Sequence, residues 1–205
     1  MGTFVKICGL ADPGDVAAVA ALRPDALGFV LWPGSRRAAR ATDVAAWVRD
    51  LPAGLLKVGV FVDAAPDEVR RAVEVAGLDV AQLHGRVRAE DFRAWPGRLW
   101  RALAPRPGDA LDGSGWSVDA FLVDTYSAQS PGGTGRVGDW EQARAFVQRS
   151  GTRVLLAGGL TPQNVRAAVR VVQPWGVDVS SGVEADVGRK DLAKVREFIE
   201  RCRED

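Results

Sequence analysis

The sequence predicts an α/β fold in which eight parallel strands alternate with helices and close into a barrel. Short apolar runs alternate along the chain with longer amphipathic segments, which indicates a parallel sheet covered by helices. Eight such units follow one another without a break in composition over 205 residues. No Gly-x-Gly-x-x-Gly motif follows the first apolar run, so a doubly wound open sheet is the less favoured alternative. We therefore expect a single-domain (β/α)8 TIM barrel spanning residues 1–205.

The apolar runs that predict the strands recur at regular intervals. They begin near residues 4, 26, 57, 79, 98, 119, 153 and 176. The mean spacing of about 25 residues fits one strand followed by one crossover segment.

The segments between these runs predict the helices, at 12–22, 42–51, 66–76, 88–95, 139–148, 161–172 and 190–203. Asp12 and Thr161 suit helix N-caps, and a proline follows each of them at the first helical position. The segment 105–117 contains two prolines and three glycines. It predicts a loop or a single turn, and therefore a short or irregular fifth helix.

The composition excludes several functional classes. The 27 basic and 26 acidic side chains lack the clustered cationic surplus that nucleic-acid binding requires. No run of eighteen apolar residues predicts a membrane span, and the N-terminal segment lacks the pattern of a secretion signal, so we expect a cytoplasmic protein. Two cysteines and one histidine are too few for a Cys/His zinc cluster, and we expect no metal.

Polar side chains at the carboxyl ends of the predicted strands indicate an active site, because those ends carry catalysis in such barrels. Cys8, His84 and Asp124 end the first, fourth and sixth strands. A thiol, an imidazole and a carboxylate form a suitable acid/base set. Each also has a structural alternative: Cys8 as a small apolar residue, His84 as a partner of the backbone, and Asp124 as a cap of the following loop.

Glycine-rich turns after the last two strands predict a phosphate site. Gly158 and Gly159 follow the seventh strand, and Ser180, Ser181 and Gly182 follow the eighth. Loops at these two places often bind phosphate through backbone N–H groups and hydroxyls. Tight turns without a ligand are the alternative.

Two further loops lie over the same predicted face. Gly133, Thr134 and Gly135, after the sixth strand, are expected to form a lid or to flank the phosphate. Arg36 and Arg37 follow the second strand, where a guanidinium can pair with a substrate anion. For Arg37, a solvated loop charge is the favoured interpretation.

These segments resemble the phosphoribosylanthranilate isomerases of tryptophan biosynthesis along nearly the whole chain. The motifs that carry the resemblance are Val5-Lys-Ile-Cys-Gly9, Ser35-Arg-Arg37, Gln82-Leu-His-Gly85, Leu122-Val-Asp124, Gly132-Gly-Thr-Gly135, Ala157-Gly-Gly-Leu160 and Val177-Asp-Val-Ser-Ser-Gly-Val-Glu184. The first and last of these are specific to that family among phosphate-binding barrels.

The resemblance implies an aldose–ketose isomerase that converts N-(5-phosphoribosyl)anthranilate to 1-(2-carboxyphenylamino)-1-deoxyribulose 5-phosphate by an Amadori rearrangement, with no cofactor. It implies Asp124 as the general acid that opens the ribose ring and Cys8 as the base that removes the C2′ proton. Arg36 would pair with the anthranilate carboxylate, and Asp178 and His84 would contact the substrate. The glycines and serines named above would hold the 5′-phosphate. A small molecule is the expected partner, and the chain is expected to be a monomer or a homodimer.

The role of Cys8 raises a physical difficulty. A free thiol is only a few per cent ionised at neutral pH, so a thiolate base requires a positive neighbour. Lys6 lies two residues earlier on the same strand face but at a different depth, so it is not assumed to be that neighbour.

Three alternative functions stay open at this point. The related isomerase of histidine biosynthesis would need a second phosphate cradle and an aspartate in place of Cys8. A lyase such as the tryptophan synthase α subunit would need paired catalytic carboxylates. A non-catalytic phosphate-binding module would leave Cys8 and Asp124 unexplained.

Overall fold

The structure, a computed structural model, describes residues 2–104, 110–124 and 140–204. The strands of its main sheet are β1 (Phe4–Ile7), β2 (Ala26–Val30), β3 (Leu56–Val62), β4 (Val80–His84), β5 (Arg98–Leu103), β6 (Ala120–Asp124), β7 (Arg153–Ala157) and β8 (Gly176–Val179). They are parallel and pair in chain order, and β1 pairs with β8 to close the barrel. The predicted barrel is confirmed.

Six α-helices cover the barrel in the described ranges: α1 (Pro13–Ala21), α2 (Ala41–Val48), α3 (Pro66–Ala76), α4 (Trp140–Ser150), α5 (Val165–Val172) and α6 (Leu192–Arg203). The predicted N-cap of α1 is confirmed, since Asp12 Oδ1 accepts hydrogen bonds from the backbone N–H groups of Gly14 and Asp15 at 2.9 and 3.1 Å.

Two helices begin later than the sequence predicts. Asn164 Oδ1 accepts a hydrogen bond from the backbone N–H of Thr161 at 2.8 Å, which holds 161–164 in a turn and delays α5 to Val165. A short hairpin of β9 (Glu184–Asp186) and β10 (Arg189–Lys190), which the sequence analysis did not predict, delays α6 to Leu192.

The fourth crossover is also shorter than predicted. In place of a helix over 88–95 there is only a 3₁₀ turn, Ala89–Phe92, and Pro96 and Gly97, four and five residues after it, prevent a longer helix. After β5, the described residues 110–119 contain no helix, as predicted, and 105–109 lie outside the described residues.

Aromatic residues cover this part of the barrel instead. The Phe92 ring lies 5.8 Å from the Trp95 ring and 6.4 Å from the Trp116 ring, measured between centroids. The Arg101 guanidinium lies 5.0 Å from the centroid of Trp116.

The strand register stacks the inward-facing side chains in layers of four, as barrel geometry requires. In order toward the C-terminal end, these layers are Lys6, Val58, Trp100 and Leu155; Gly28, Gln82, Leu122 and Asp178; Cys8, Val60, Ala102 and Ala157; and Val30, His84, Asp124 and Ser180.

The opposite end of the barrel is closed by aromatic rings. Phe4 stacks on Trp175 with centroids 4.2 Å apart, and Trp100 contacts both rings edge-on. These rings separate the polar layers from this end of the barrel.

Candidate active site

The side chains predicted at the strand ends meet at the C-terminal end of the barrel. Cys8 lies just past β1 and is buried, whereas His84 and Asp124 are the half-buried last residues of β4 and β6. Asp178, in β8, faces the interior one layer below Cys8. The structure therefore brings a thiol, an imidazole and two carboxylates into three successive interior layers at the C-terminal end of the barrel.

Cys8 shares this interior with a buried ion pair. The Lys6 side chain is fully buried, and its Nζ lies 2.8 Å from Asp178 Oδ1. A Cβ placed on Gly28 would lie 2.7 Å from Cys8 Sγ and 2.9 Å from Lys6 Nζ. Thiol and ammonium thus both pack against the bare backbone of Gly28, and only glycine fits there.

Burial raises the pKa of the Cys8 thiol above its ordinary value, because a thiolate would lose its hydration. The Lys6 ammonium opposes this rise, Asp178 adds to it, and Lys190 opposes it more weakly. Burial alone would lower the pKa of Lys6, but Asp178 and Cys8 hold it above its ordinary value. Lys6 therefore stays positively charged next to the thiol.

The buried side-chain amide of Gln82 contacts His84 at the C-terminal end of the barrel. Gln82 Nε2 lies 2.7 Å from His84 Nε2, and both side chains face the barrel interior. Burial lowers the pKa of His84 to about 4, and the positive charges of Lys6 and Arg101 contribute to this shift. The imidazole is therefore neutral at physiological pH.

The predicted phosphate turns after β7 and β8 contact each other. Gly158 and Gly159 have positive φ angles of 88° and 64°, which favour glycine. A Cβ on Gly182 would collide with the carbonyl oxygen of Leu160, so only glycine lets the second turn approach the first. Ser180 Oγ lies 2.6 Å from the Cβ position of Gly9, which places this hydroxyl beside the end of β1. Gly133, Thr134 and Gly135 lie outside the described residues.

The two arginines after β2 differ in their surroundings, and the expectation for Arg37 is wrong. Arg37 Nε and Nη2 donate to the Glu184 carboxylate at 2.7 and 2.6 Å. Lys190 Nζ donates to the same carboxylate at 3.0 Å, and both Glu184 and Lys190 are buried. Arg37 thus ties the loop after β2 to the hairpin after β8. Arg36 is exposed on that loop.

Among the described residues, no group of three or more His, Cys, Asp or Glu side chains is arranged to hold a metal ion. No helix there is long and apolar enough to cross a membrane.

Comparison with known proteins identifies the family. A family model described as N-(5'phosphoribosyl)anthranilate (PRA) isomerase matches residues 5–201. The chain is 44% identical over 200 residues to N-(5'-phosphoribosyl)anthranilate isomerase from Chromohalobacter salexigens, an alignment that covers 96% of this chain and 92% of that one. The chain belongs to the phosphoribosylanthranilate isomerase family.

Solved structures of the family share the fold of this isomerase. The phosphoribosyl anthranilate isomerase from Thermotoga maritima superposes with a TM-score of 0.88 at 34% identity, over 98% of each chain. A second structure, of a phosphoribosyl anthranilate isomerase in complex with reduced 1-(o-carboxyphenylamino)-1-deoxyribulose 5-phosphate, has a TM-score of 0.84 at 32% identity, over 98% of each chain.

Sequence reasoning missed one interior residue of the isomerase, Gln82, and left Lys6 without an assigned role. The sequence does carry a signal for both, because each lies two residues before a predicted site residue and so shares its strand face. The partner of Lys6 has no such signal. Lys6 pairs with Asp178, 172 positions away in the chain, and only closure of the barrel brings the two together.

Proposed function

We propose that this isomerase converts N-(5-phosphoribosyl)anthranilate to 1-(2-carboxyphenylamino)-1-deoxyribulose 5-phosphate with Asp124 as general acid and Cys8 as general base. The observation that carries the proposal is the placement of these two side chains in adjoining interior layers at the open end of the barrel. The family membership and the product analogue bound by a relative support the choice of substrate.

The chemistry needs one proton donor and one proton acceptor. Asp124 donates a proton to the ribose ring oxygen, and the C1′–O bond breaks as the anthranilate nitrogen forms a C=N bond. Cys8 then removes the C2′ proton, and the electron pair of that C–H bond moves toward the positively charged nitrogen to give an enolamine. Tautomerisation of the enolamine to the ketone completes the isomerisation, and no redox partner is consumed.

Lys6 is the positive neighbour that a thiolate at Cys8 requires. Its ammonium is buried against the same glycine as the sulfur, so its attraction for the thiolate is screened less than in water. Burial still keeps the Cys8 pKa above its ordinary value. Deprotonation of the thiol therefore depends on this ammonium.

The remaining predicted residues fit the two ends of the substrate. Arg36, exposed after β2, would pair with the anthranilate carboxylate. The 5′-phosphate would lie between the turn of Gly158 and Gly159 and the turn of Ser180, Ser181 and Gly182. The ribose would lie between His84 and Asp178. Cytoplasmic location and a monomeric or homodimeric state stay predictions from the sequence and the resemblance.

Turnover assays of single variants test the proposal. The substrate is formed in situ from anthranilate and phosphoribosyl pyrophosphate, and its fluorescence loss reports the isomerisation. We expect Cys8→Ser and Asp124→Asn each to lower kcat by roughly 10²- to 10⁴-fold, the usual contribution of a general acid or base. Cys202→Ser and Asp67→Asn are the matched controls, since Cys202 lies on α6 and Asp67 on α3.

Either assignment is overturned if its variant keeps most of the wild-type turnover. If folded wild-type protein binds inorganic phosphate but shows no turnover, the isomerase proposal itself is wrong and a phosphate-binding module remains.

A further inference from the structure

We propose that Gln82 is a positioning residue that keeps His84 in one neutral tautomer, with its proton on Nδ1, so that His84 offers an N–H donor to the substrate. This inference rests on the proposed function for its substrate, but its structural half is independent of turnover.

The geometry of the pair carries the argument. Gln82 is 1% exposed and lies in the layer below His84 on the same strand, with its Nε2 atom 2.7 Å from His84 Nε2. At this distance one nitrogen donates and the other accepts. An amide N–H that donates to His84 Nε2 leaves the imidazole proton on Nδ1.

The orientation of the Gln82 amide determines which of its atoms, Nε2 or Oε1, contacts His84. Gln82 Oε1 is buried and has no hydrogen-bond partner within the described chain. The register places Gln82 in the same layer as Asp178, directly above the layer of Lys6, whose buried ammonium bonds Asp178 at 2.8 Å. The structure places Nε2, and not Oε1, on His84, and the reverse orientation would turn an N–H group toward the Lys6 side of the layer. The two orientations make opposite predictions, because the reverse one requires a proton on His84 Nε2.

The surroundings of His84 maintain its neutral form. Two cations act on it, Lys6 from β1 and Arg101 from β5, and both oppose an imidazolium; the Asp124 carboxylate, from β6, lies in the same layer. A neutral amide at Nε2 adds no charge. A carboxylate there would instead stabilise an imidazolium.

A neutral donor suits this place in the site. His84 lies in the outermost of the four interior layers, together with Asp124, the last residue of β6, and Ser180, which follows β8. Its Nδ1–H can donate to a hydroxyl or carboxylate oxygen of the bound substrate, and being neutral it would compete little with Asp124 as an acid. Gln82 acts only through His84 and touches no substrate.

Because His84 is the only histidine in the chain, nitrogen NMR reports it without ambiguity. Long-range ¹H–¹⁵N spectra of uniformly ¹⁵N-labelled protein distinguish protonated from bare ring nitrogens. We expect one set of signals, with Nδ1 protonated and Nε2 bare, unchanged between pH 8 and pH 5.5. An Nε2-protonated ring, a mixture of tautomers or a ring that titrates in this range overturns the proposal.

Two variants test the role of Gln82 itself. In Gln82→Leu the single tautomer should give way to a mixture. In Gln82→Glu the new carboxylate should raise the histidine pKa by at least one unit and move a proton to Nε2. Leu122→Val, in the same interior layer, is the packing control and should leave the ring signals as in wild type. Ring signals that stay unchanged in both Gln82 variants contradict the proposal.

Kinetics of the same proteins tests the functional half. Gln82→Leu should lower kcat/KM about tenfold, the size of one hydrogen bond. In a His84→Leu background the same substitution should cause no further loss. An equal loss in both backgrounds shows that Gln82 acts through packing and overturns its positioning role. Absence of turnover in folded wild type refutes the proposed function but leaves the tautomer result to stand alone.

Discussion

At the scale of single residues, two buried basic groups of this isomerase differ in their charge, although burial lowers the pKa of both. Lys6 keeps its charge because the Asp178 carboxylate accepts a hydrogen bond from it inside the barrel, which raises its pKa against the effect of burial. His84 loses its charge because it is buried, and the cations Lys6 and Arg101 lower its pKa further while its amide partner supplies no counter-charge. A buried group in this interior therefore keeps its charge only where a partner of opposite charge offsets the effect of burial.

The lowered pKa of His84 predicts a pH dependence of stability. The unfolded chain takes up a proton at this residue below about pH 6.5, whereas the folded protein takes it up only near pH 4. Acidification through this window therefore favours unfolding, by about 3 kcal/mol for this one group. Urea unfolding of wild type and His84→Gln at pH 7, 5.5 and 4.5 measures it. The variant should lose less stability on acidification, and parallel curves for the two proteins would contradict the shift.

At the scale of elements, side chains take the place of a helix on the outside of β4 and β5, where the described chain has none. Arg101 Nη1 and Nη2 donate to the carbonyl oxygens of Leu83 and Gly85 at 3.1 and 2.6 Å, and the guanidinium lies over the Trp116 ring. Arg101 thus satisfies two carbonyl groups at the end of β4 and fixes the aromatic cover.

Removal of this guanidinium should therefore destabilise the barrel. We expect Arg101→Met to lower the free energy of unfolding by about 2–3 kcal/mol, since hydrogen bonds from a charged donor and a cation–π contact are lost together. Arg101→Lys should be intermediate, because an ammonium lacks the fork that reaches both carbonyl groups. Arg98→Met, exposed on the same strand, is the control and should change stability by less than about 0.5 kcal/mol. Equal denaturation midpoints for the Arg101 and Arg98 variants would show that the Arg101 contacts do not stabilise the barrel.

The elements show where sequence-based prediction succeeds. The strands were found because each is a mostly apolar run, and α3 was found with its bounds because Pro66 starts it and Gly77 ends it. The hairpin before α6 was missed because it depends on distant partners. Lys190 donates its backbone N–H to Asp15, 175 positions away in the chain, at 2.7 Å, and this contact has no local signature.

At the scale of the whole molecule, the site too divides into features with a local sequence signal and features that depend on distant partners. The positions of Cys8, His84 and Asp124 followed from the rule that strand ends converge, because that rule needs only strand order. The pairs Lys6–Asp178 and Arg37–Glu184 join residues 172 and 147 positions apart, so they depend on barrel closure. Sequence reasoning thus locates the face of the site but not the charge network beneath and beside it.

Glu184 connects the first βα units of the closed barrel with the last. Its carboxylate accepts hydrogen bonds from Arg37, on the loop after β2, and from Lys190, beside α6, while its carbonyl oxygen accepts one from Lys194 at 2.9 Å. These contacts fasten the first βα units to the last, next to the β1–β8 seam. Burial by itself would raise the pKa of Glu184, but Arg37 and Lys190 hold it below its ordinary value, so the carboxylate is ionised.

Neutralising this carboxylate should destabilise the whole barrel. In Glu184→Gln the buried Lys190 ammonium loses its counter-charge, and we expect a loss of about 3–5 kcal/mol in the free energy of unfolding. Glu197→Gln is the matched control, because Glu197 forms an exposed helical ion pair with Arg201 and should contribute only about 0.5 kcal/mol. Denaturant unfolding of both variants at pH 7 makes the comparison. Equal stability of the two would show that the Arg37–Glu184–Lys190 network does not support closure of the barrel.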